Sequence, residues 1–226
     1  LDIGMNDFST KEFNWDDKYS YDRGKVLSKT DLDEIERFGR YLDIDDDGIP
    51  YRTYPGTHPK KGAFFTRGSS HDEYAVYTED GKVNARNMKR ILKKHKTASK
   101  LIPKPIIKSS NSSIGVIYFG GSDYSMIEAL DILAEDGIIL DSMRIRGFPF
   151  GTEVNDFIIN HDLIFVVEQN RDAQMKKLII AELNVSPEKM ISILCFDGMP
   201  ITANFIDKEI QSYLAEKKLK ELIREK

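Results

Sequence analysis

The sequence contains almost no cysteine or tryptophan and no long apolar run, and each shortage excludes a class of protein. Its 226 residues include one tryptophan and one cysteine, Cys195. A single thiol cannot form an internal disulfide, nor can it alone ligate an iron–sulfur cluster or a cysteine-based zinc ion. No apolar run reaches the roughly 20 residues that cross a bilayer, and the first residues lack the pattern of a signal peptide. We therefore expect a cytoplasmic protein.

The charges are nearly balanced, which removes any global electrostatic reason to bind nucleic acid or an anionic membrane. The chain has 33 basic and 37 acidic residues, for a net charge of −4. Hydrophobic residues make up 40% of the chain, enough to bury a core. The length favours one domain, or one domain with a large appendage.

The second half of the chain alternates apolar strand-like runs with helical patterns. Strands this apolar predict a parallel sheet covered on both faces, and right-handed crossovers then give a small three-layer α/β domain over 114–206. An amphipathic C-terminal helix is predicted over 207–226. The predicted strands lie at 115–120, 138–146, 162–168 and 190–196, and the predicted helices at 122–137, 153–161 and 170–184.

The first half lacks this alternation. Helices are predicted only at 30–40 and 84–99, and the two prolines and polar run of 101–113 predict a linker. We interpret 9–113 as a connector packed against other protein, because a hundred irregular residues are unusual in a free-standing domain. The first residues, "LDIGMN", look like the end of a strand that belongs to something larger.

The stretch "GSSHDEY" (68–74) places serine, histidine and carboxylates together. A nucleophilic triad needs these groups to converge in space, and adjacent side chains diverge in most backbone conformations. A hydrolase built on Ser70, His71 and Asp72 is therefore the least favoured interpretation. An interface loop in which Arg67 and His71 face a partner, or simple ordering of the loop by backbone hydrogen bonds, remains open.

The stretch "DIDDDG" (43–48) matches the opening of a calcium loop, with Asp43, Asp45 and Asp47 as oxygen donors. The twelfth position should be a bidentate glutamate, but Tyr54 stands there. An acidic turn is the favoured interpretation, and a metal ion on the three aspartates is the alternative.

Polar side chains follow two of the predicted strands where each strand ends. Glu168, Gln169, Asn170 and Arg171 come after one strand, and "RIRGFPFG" (144–151) ends another with Arg144 and Arg146. In open α/β sheets this carboxyl edge is where ligands or partners dock. "GGSDYS" (120–125) lacks the spacing of a dinucleotide-binding or P-loop motif, so nucleotide binding is unsupported.

Several long stretches resemble one family. "YRTYPGTHPKKGAFFTRGSSHDEYAVYTEDG", "RIRGFPF", "VVEQNRDAQMKKLIIAE" and "FDGMPITANFI" are similar to the C-terminal part of the α subunit of 2-oxoacid:ferredoxin oxidoreductases, with the 2-oxoglutarate branch nearest. The resemblance implies that 114–206 is like the C-terminal domain of transketolases. It also implies that residues 1–8 end a pyrimidine-binding domain and that 9–113 wrap neighbouring domains.

The resemblance implies an enzyme that decarboxylates a 2-oxoacid oxidatively on thiamine diphosphate with Mg. Electrons pass through iron–sulfur clusters to ferredoxin, and the acyl group passes to coenzyme A. The implied partners are a β subunit and the upstream pyrimidine domain of the same subunit.

The motifs that hold the cofactor in this family do not match any stretch here, so we assign no catalytic residue and expect this chain alone to be inactive and to bind no cofactor. Its expected role is to scaffold the packing of subunits around thiamine diphosphate. A stand-alone interaction module of the same fold is the alternative. Candidate interface or binding residues are Arg67, His71, Asp72, Arg146, Glu168, Asn170, Arg171 and Gln174.

Overall fold

The computed structural model describes residue 12 and residues 14–224, and these form two compact units, 12–101 and 102–224. The predicted strand end at "LDIGMN" lies outside the described residues. No helix in the described part of the chain is both long and apolar enough to span a membrane.

The unit 12–101 is built mostly from turns around two helices, α1 (Lys29–Glu34) and α2 (Gly81–Ala98). Helix α1 begins with a capping box, in which the Ser28 side chain accepts from Asp31 N–H and the Asp31 carboxylate accepts from Ser28 N–H. The prediction of a helix over 30–40 is too long, because the backbone becomes extended at Ile35. Helix α2 agrees with the prediction within three residues at each end.

The unit 102–224 contains a five-stranded sheet in the order β1-β3-β2-β4-β5. Strands β2 to β5 are parallel, and β1 pairs with β3 antiparallel. The strands are β1 (Ile106–Lys108), β2 (Ile114–Phe119), β3 (Asp141–Ile145), β4 (Leu163–Glu168) and β5 (Met190–Leu194). All six residues of β4 are buried, as expected for a strand covered on both faces.

Four helices cover the two faces of this sheet, which confirms the predicted three-layer α/β fold. They are α3 (Asp123–Glu135), α4 (Thr152–Ile159), α5 (Gln174–Leu183) and α6 (Ala203–Arg224). Helices α3 and α6 bury Met126, Leu133 and Ile206 against one face. Helices α4 and α5 bury Phe157 and Ile179 against the other.

The prediction that 101–113 is only a linker is wrong for β1. Its prolines, Pro103 and Pro105, precede the strand, and the strand lies at an edge of the sheet, where proline is tolerated. A three-residue edge strand gives no periodic pattern that sequence inspection can detect. The predicted helix over 170–184 also starts later, at Gln174, because Ala173 adopts a left-handed conformation with φ 50°.

Candidate functional site

The carboxyl ends of β2 and β4 lie side by side, and the chain leaves them in opposite directions across the sheet. This is the topological switch point, where α/β sheets of this kind place their sites. Gln169, which follows β4, connects the elements that meet there. Its Nε2 donates to Ser122 Oγ over 3.3 Å, and its Oε1 accepts from Ile201 N–H over 3.2 Å.

Glu168 is the last residue of β4 and is completely buried. Its carboxylate accepts three hydrogen bonds, from Met175 N–H at 2.7 Å, Lys176 N–H at 3.1 Å and Asn170 Nδ2 at 2.8 Å. The first two donors belong to the first turn of α5, whose N–H groups have no partner within the helix. The negative charge also suits the positive end of the helix dipole. The Glu168 carboxylate therefore caps α5 and occupies the helix end at which another anion could bind.

The other candidates near β4 lie at the surface. Asn170 Oδ1 accepts from the N–H groups of Asp172 and Gln174, so this residue shapes the loop. The Arg171 side chain is 74% exposed, and its Nε donates to Asp172 Oδ1 over 2.8 Å. The exposed Gln174 begins α5. The structure brings these three residues together at one edge.

A second polar group lies where β2 and β3 end. Arg144 Nη1 is 2.7 Å from Asp123 Oδ2 at the start of α3. Burial raises the pKa of the Tyr118 hydroxyl, and the negative charge of Asp123 raises it further against the opposing charge of Arg144. Arg146 points elsewhere, because its Nε donates to Lys104 O, 2.7 Å away and before β1. Arg144 and Arg146 therefore do not form one site.

Large apolar side chains are exposed at the same edge. Phe148 follows β3, Phe196 and Met199 follow β5, and Tyr124 is the second residue of α3, with exposed fractions of 43%, 62%, 65% and 63%. We call these four residues with Asn170, Arg171 and Gln174 the carboxyl-edge surface. An exposed apolar patch mixed with polar groups is typical of a protein–protein interface.

The loop "GSSHDEY" in the unit 12–101 does not have the geometry of a triad. The His71 Nδ1 lies 3.0 Å from the backbone oxygen of Asp72, and the closest polar contact of Ser70 Oγ is Asn84 Oδ1 at 3.5 Å. The Asp72 carboxylate accepts from the N–H groups of Tyr74 and Val76, both at 2.9 Å. Asp72 thus orders the loop. Arg67 is exposed, and its role as an interface residue stays a prediction, as does that of His71.

Two aspartates of "DIDDDG" form ion pairs with a lysine that the sequence did not indicate. Lys25 Nζ lies 2.6 Å from Asp45 Oδ2 and 2.8 Å from Asp47 Oδ2. Asp43 instead accepts from the N–H groups of Asp47 and Gly48 within its own turn. Among the described residues, no group of three His, Cys, Asp or Glu side chains is placed to hold a metal ion. The metal site at these aspartates stays a prediction.

A buried contact between a histidine and an aspartate at the opposite, amino edge of the sheet was also missed. His161 Nε2 is 3.3 Å from Asp141 Oδ2, and both side chains are at most 7% exposed. They line a cleft of about 600 Å³ together with serines of the loop 109–113. Asp141 also accepts from Ser109 Oγ, Ser110 N–H and Ser112 N–H. Asp141, His161 and the serines lie far apart in the sequence. No local sequence pattern therefore indicates that Asp141 and His161 are in contact.

The arrangement at the carboxyl edge suits binding better than catalysis. Glu168 has its carboxylate committed to three donors, and it occupies the N-terminus of α5, so this helix end does not fit a diphosphate. The exposed aromatic, methionine and arginine side chains are those enriched in protein interfaces.

Comparisons with known proteins agree with the motifs quoted above. The chain is 28% identical over 185 residues to the α subunit of 2-oxoacid:ferredoxin oxidoreductase 2 from Aeropyrum pernix. It is 26% identical over 197 residues to the α subunit of 2-oxoacid:ferredoxin oxidoreductase from Saccharolobus solfataricus. The chain resembles 2-oxoacid:ferredoxin oxidoreductase α subunits. This confirms the resemblance predicted from the sequence.

The likeness to these oxidoreductases covers most of the chain but a minor part of the relatives. The two alignments cover 79% and 84% of this chain, and they span 27% and 30% of the respective α subunits. No family model matches the chain.

The fold is shared with a solved oxidoreductase. The 2-oxoglutarate:ferredoxin oxidoreductase from Magnetococcus marinus, solved with 2-oxoglutarate, coenzyme A and succinyl-CoA bound, superposes with a TM-score of 0.69. The match covers 80% of this chain and 31% of that chain, at 20% identity. At that identity the superposition supports the fold.

Proposed function

We propose that this chain is the C-terminal part of the α subunit of a 2-oxoacid:ferredoxin oxidoreductase. The observation that carries the proposal is the similarity to two curated α subunits over about four fifths of the chain. The complete complex would decarboxylate a 2-oxoacid oxidatively, form acyl-CoA and reduce ferredoxin. The sequence motifs favour 2-oxoglutarate as substrate, and the composition favours a cytoplasmic complex.

In this proposal the chain scaffolds subunit packing and supplies no catalytic group. Thiamine diphosphate with Mg and the iron–sulfur clusters would be held elsewhere in the complex, by the upstream pyrimidine domain and the β subunit. The carboxyl-edge surface supports this role. Phe196 and Met199 are more than 60% exposed, and the Arg171 side chain is 74% exposed, so burial against a partner would stabilise the complex.

The test is assembly of the complex with and without Arg171. The complete α subunit is co-expressed with the β subunit, and co-purification and 2-oxoglutarate-dependent ferredoxin reduction are measured. We expect Arg171→Ala to weaken assembly or turnover, and Lys177→Ala, an exposed cation on the helix α5 that follows the Arg171 loop, to leave both unchanged. Unchanged assembly and rate in Arg171→Ala would remove Arg171 from the interface. Failure of the wild-type subunits to assemble would contradict the proposal as a whole.

The alternative is a stand-alone interaction module of the same fold. It is favoured by one observation, that each described unit is compact within itself. Sequencing the DNA upstream of Leu1 separates the two functions. An open frame that encodes a pyrimidine-binding domain supports the oxidoreductase, and a start codon close to Leu1 supports the module.

A further inference from the structure

A cluster of aromatic and basic side chains in the unit 12–101 surrounds Tyr41. We call Arg40, Tyr41, Phe64, His71 and Arg90 the Tyr41 cluster. The His71 ring stacks on the Tyr41 ring with centroids 3.9 Å apart and an angle of 24° between the planes. Phe64 lies edge-on, with its centroid 6.3 Å from that of Tyr41. A backbone hydrogen bond of 3.0 Å from Tyr41 N–H to Glu73 O fixes Tyr41 beside the loop "GSSHDEY".

Two arginines lie near this one ring. The Cζ of Arg40 is 5.5 Å from the Tyr41 centroid and 5.9 Å from that of Phe64, and the Cζ of Arg90 is 6.0 Å from Tyr41. These distances are within the range of cation–π attraction, which contributes about 0.5–2 kcal/mol. The rings thus hold two positive charges on the same part of the surface.

Neither arginine has an acidic partner of its own. In the described part of the chain, no carboxylate oxygen lies within 4.0 Å of the Arg40 or Arg90 guanidinium. Arg90 Nη1 donates to Gly48 O at 3.1 Å, whereas its Nε is buried without a hydrogen-bond partner. Burial lowers the pKa of Arg90, Asp43 opposes this shift, and the neighbouring charge of Arg40 adds to it.

A carboxylate is the chemical group that would complement this cluster. A partly desolvated guanidinium without an anion is costly, and bidentate binding of a carboxylate offsets that cost. His71 packs on the Tyr41 ring and is not counted among the carboxylate donors, because its Nδ1 donates to the backbone oxygen of Asp72.

We propose that the Tyr41 cluster binds an acidic side chain of a partner protein, with the Tyr41 ring positioning the Arg40 and Arg90 guanidinium groups and these two groups holding the carboxylate. A protein partner fits better than an enclosed small molecule because the half-buried cluster is bordered by exposed aromatic rings. Phe64 is 45% exposed, and the adjacent Phe65 is 81% exposed. Partly exposed arginines beside aromatic rings are typical of residues that dominate protein interfaces.

The inference rests on the proposed function, since the partner is taken to be another part of the same assembly. It adds the chemistry of the contact: the surface of that partner carries aspartate or glutamate opposite Tyr41.

Binding of a fluorescent hexaglutamate peptide to the full chain, measured by anisotropy at low salt, tests the proposal. The chain carries a net charge of −4, so general attraction to a polyanion does not favour binding. We expect hexaglutamate to bind and hexalysine not to bind at this site. Arg40→Gln should weaken hexaglutamate binding about tenfold or more, as loss of one charged hydrogen-bonding group does. Arg40 is the variant of choice because its guanidinium makes no hydrogen bond within the described protein, and far-UV circular dichroism checks that Arg40→Gln keeps the fold.

Arg52→Gln is the matched control, because Arg52 lies in the same unit, faces the Tyr54 ring and does not contact Tyr41. Equal binding by wild type and Arg40→Gln, or no binding by wild type, would overturn the proposal. Displacement of hexaglutamate by millimolar inorganic phosphate but not by glutarate would also overturn it, in favour of a phosphate site.

Peptide binding and co-purification with the β subunit separate this inference from the proposed function. Co-purification without peptide binding rejects the carboxylate site alone. Arg40-dependent peptide binding without co-purification rejects the assignment to the oxidoreductase, and the acidic partner is then sought elsewhere.

Discussion

The carboxylate of Glu168 accepts a hydrogen bond from Met175 N–H, 2.7 Å away across the loop between β4 and α5. A charged residue at the switch point of an α/β sheet would ordinarily be assigned to a ligand. Here the same charge satisfies the first turn of a helix. The polar residue that suggests a binding site from the sequence is thus used for folding, and the surface left for partners consists of its neighbours.

We expect Glu168→Gln to lower the free energy of unfolding by about 1–3 kcal/mol, the effect of weakening charged hydrogen bonds to buried donors. An amide keeps one acceptor oxygen and places an NH2 group against an N–H donor. Urea unfolding followed by far-UV circular dichroism measures the change. Glu182→Gln, an exposed residue of the same helix, should change stability by less than about 0.5 kcal/mol. Similar stabilities for the two variants would show that Glu168 does not cap α5.

How far the sequence predicts this fold depends on whether the signal is local. Strand β4 and helix α3 are found from the sequence because their apolar residues recur at strand and helix spacing within one segment. Strand β1 escapes detection because it is three residues long and exists only through pairing with β3. The same limit applies to the candidate sites. Lys25 is 20 positions before Asp45 in the sequence, and only the fold brings their charges together.

The hydrogen bonds of Asp141 lead us to expect that the fold loses stability in acid. Burial tends to raise its pKa, but hydrogen bonds from Ser109, Ser110 and Ser112 and the contact with His161 outweigh it, so its pKa lies below the ordinary value. A carboxyl group with a depressed folded pKa stabilises the fold above its unfolded pKa of about 3.9, and this contribution is lost as pH falls through the folded pKa.

The difference in unfolding free energy between wild type and Asp141→Asn should therefore be constant above about pH 5 and shrink as pH falls below about 4. Urea titrations at a series of pH values measure it. Asp131→Asn, exposed on α3, controls for the loss of one negative charge. If the difference in unfolding free energy between wild type and Asp141→Asn stays constant down to pH 2, the charged form of Asp141 does not stabilise the fold.

Lys25 decides how the aspartate turn responds to calcium. Its ammonium lies within 2.8 Å of both Asp45 and Asp47, so a calcium ion on these residues must displace it. We expect Lys25→Met to leave the carboxylates without a cation and to make the melting temperature rise with added calcium more than in wild type. Differential scanning calorimetry with and without millimolar calcium measures the shift.

Lys25→Met with Asp45→Asn is the control for this calcium effect, since it removes one of the proposed ligands. If added calcium does not change the melting temperature of any variant, the metal site at Asp43, Asp45 and Asp47 is rejected.

Phe196 and Met199 predict where the chain docks in the proposed oxidoreductase. Both side chains are more than 60% exposed, so replacing them with serine should leave the unfolding free energy of the chain nearly unchanged. If a partner covers them, each loses about 1.5–3 kcal/mol of hydrophobic stabilisation in the complex, which is roughly tenfold or more in dissociation constant. Sedimentation velocity of the co-purified subunits at several concentrations measures the dissociation constant.

Ile159→Ser is the matched control, because Ile159 is 63% exposed at the end of α4, which leads into the amino end of β4. An equal loss of affinity in Ile159→Ser, or none in the Phe196 and Met199 variants, would place the contact away from the carboxyl-edge surface.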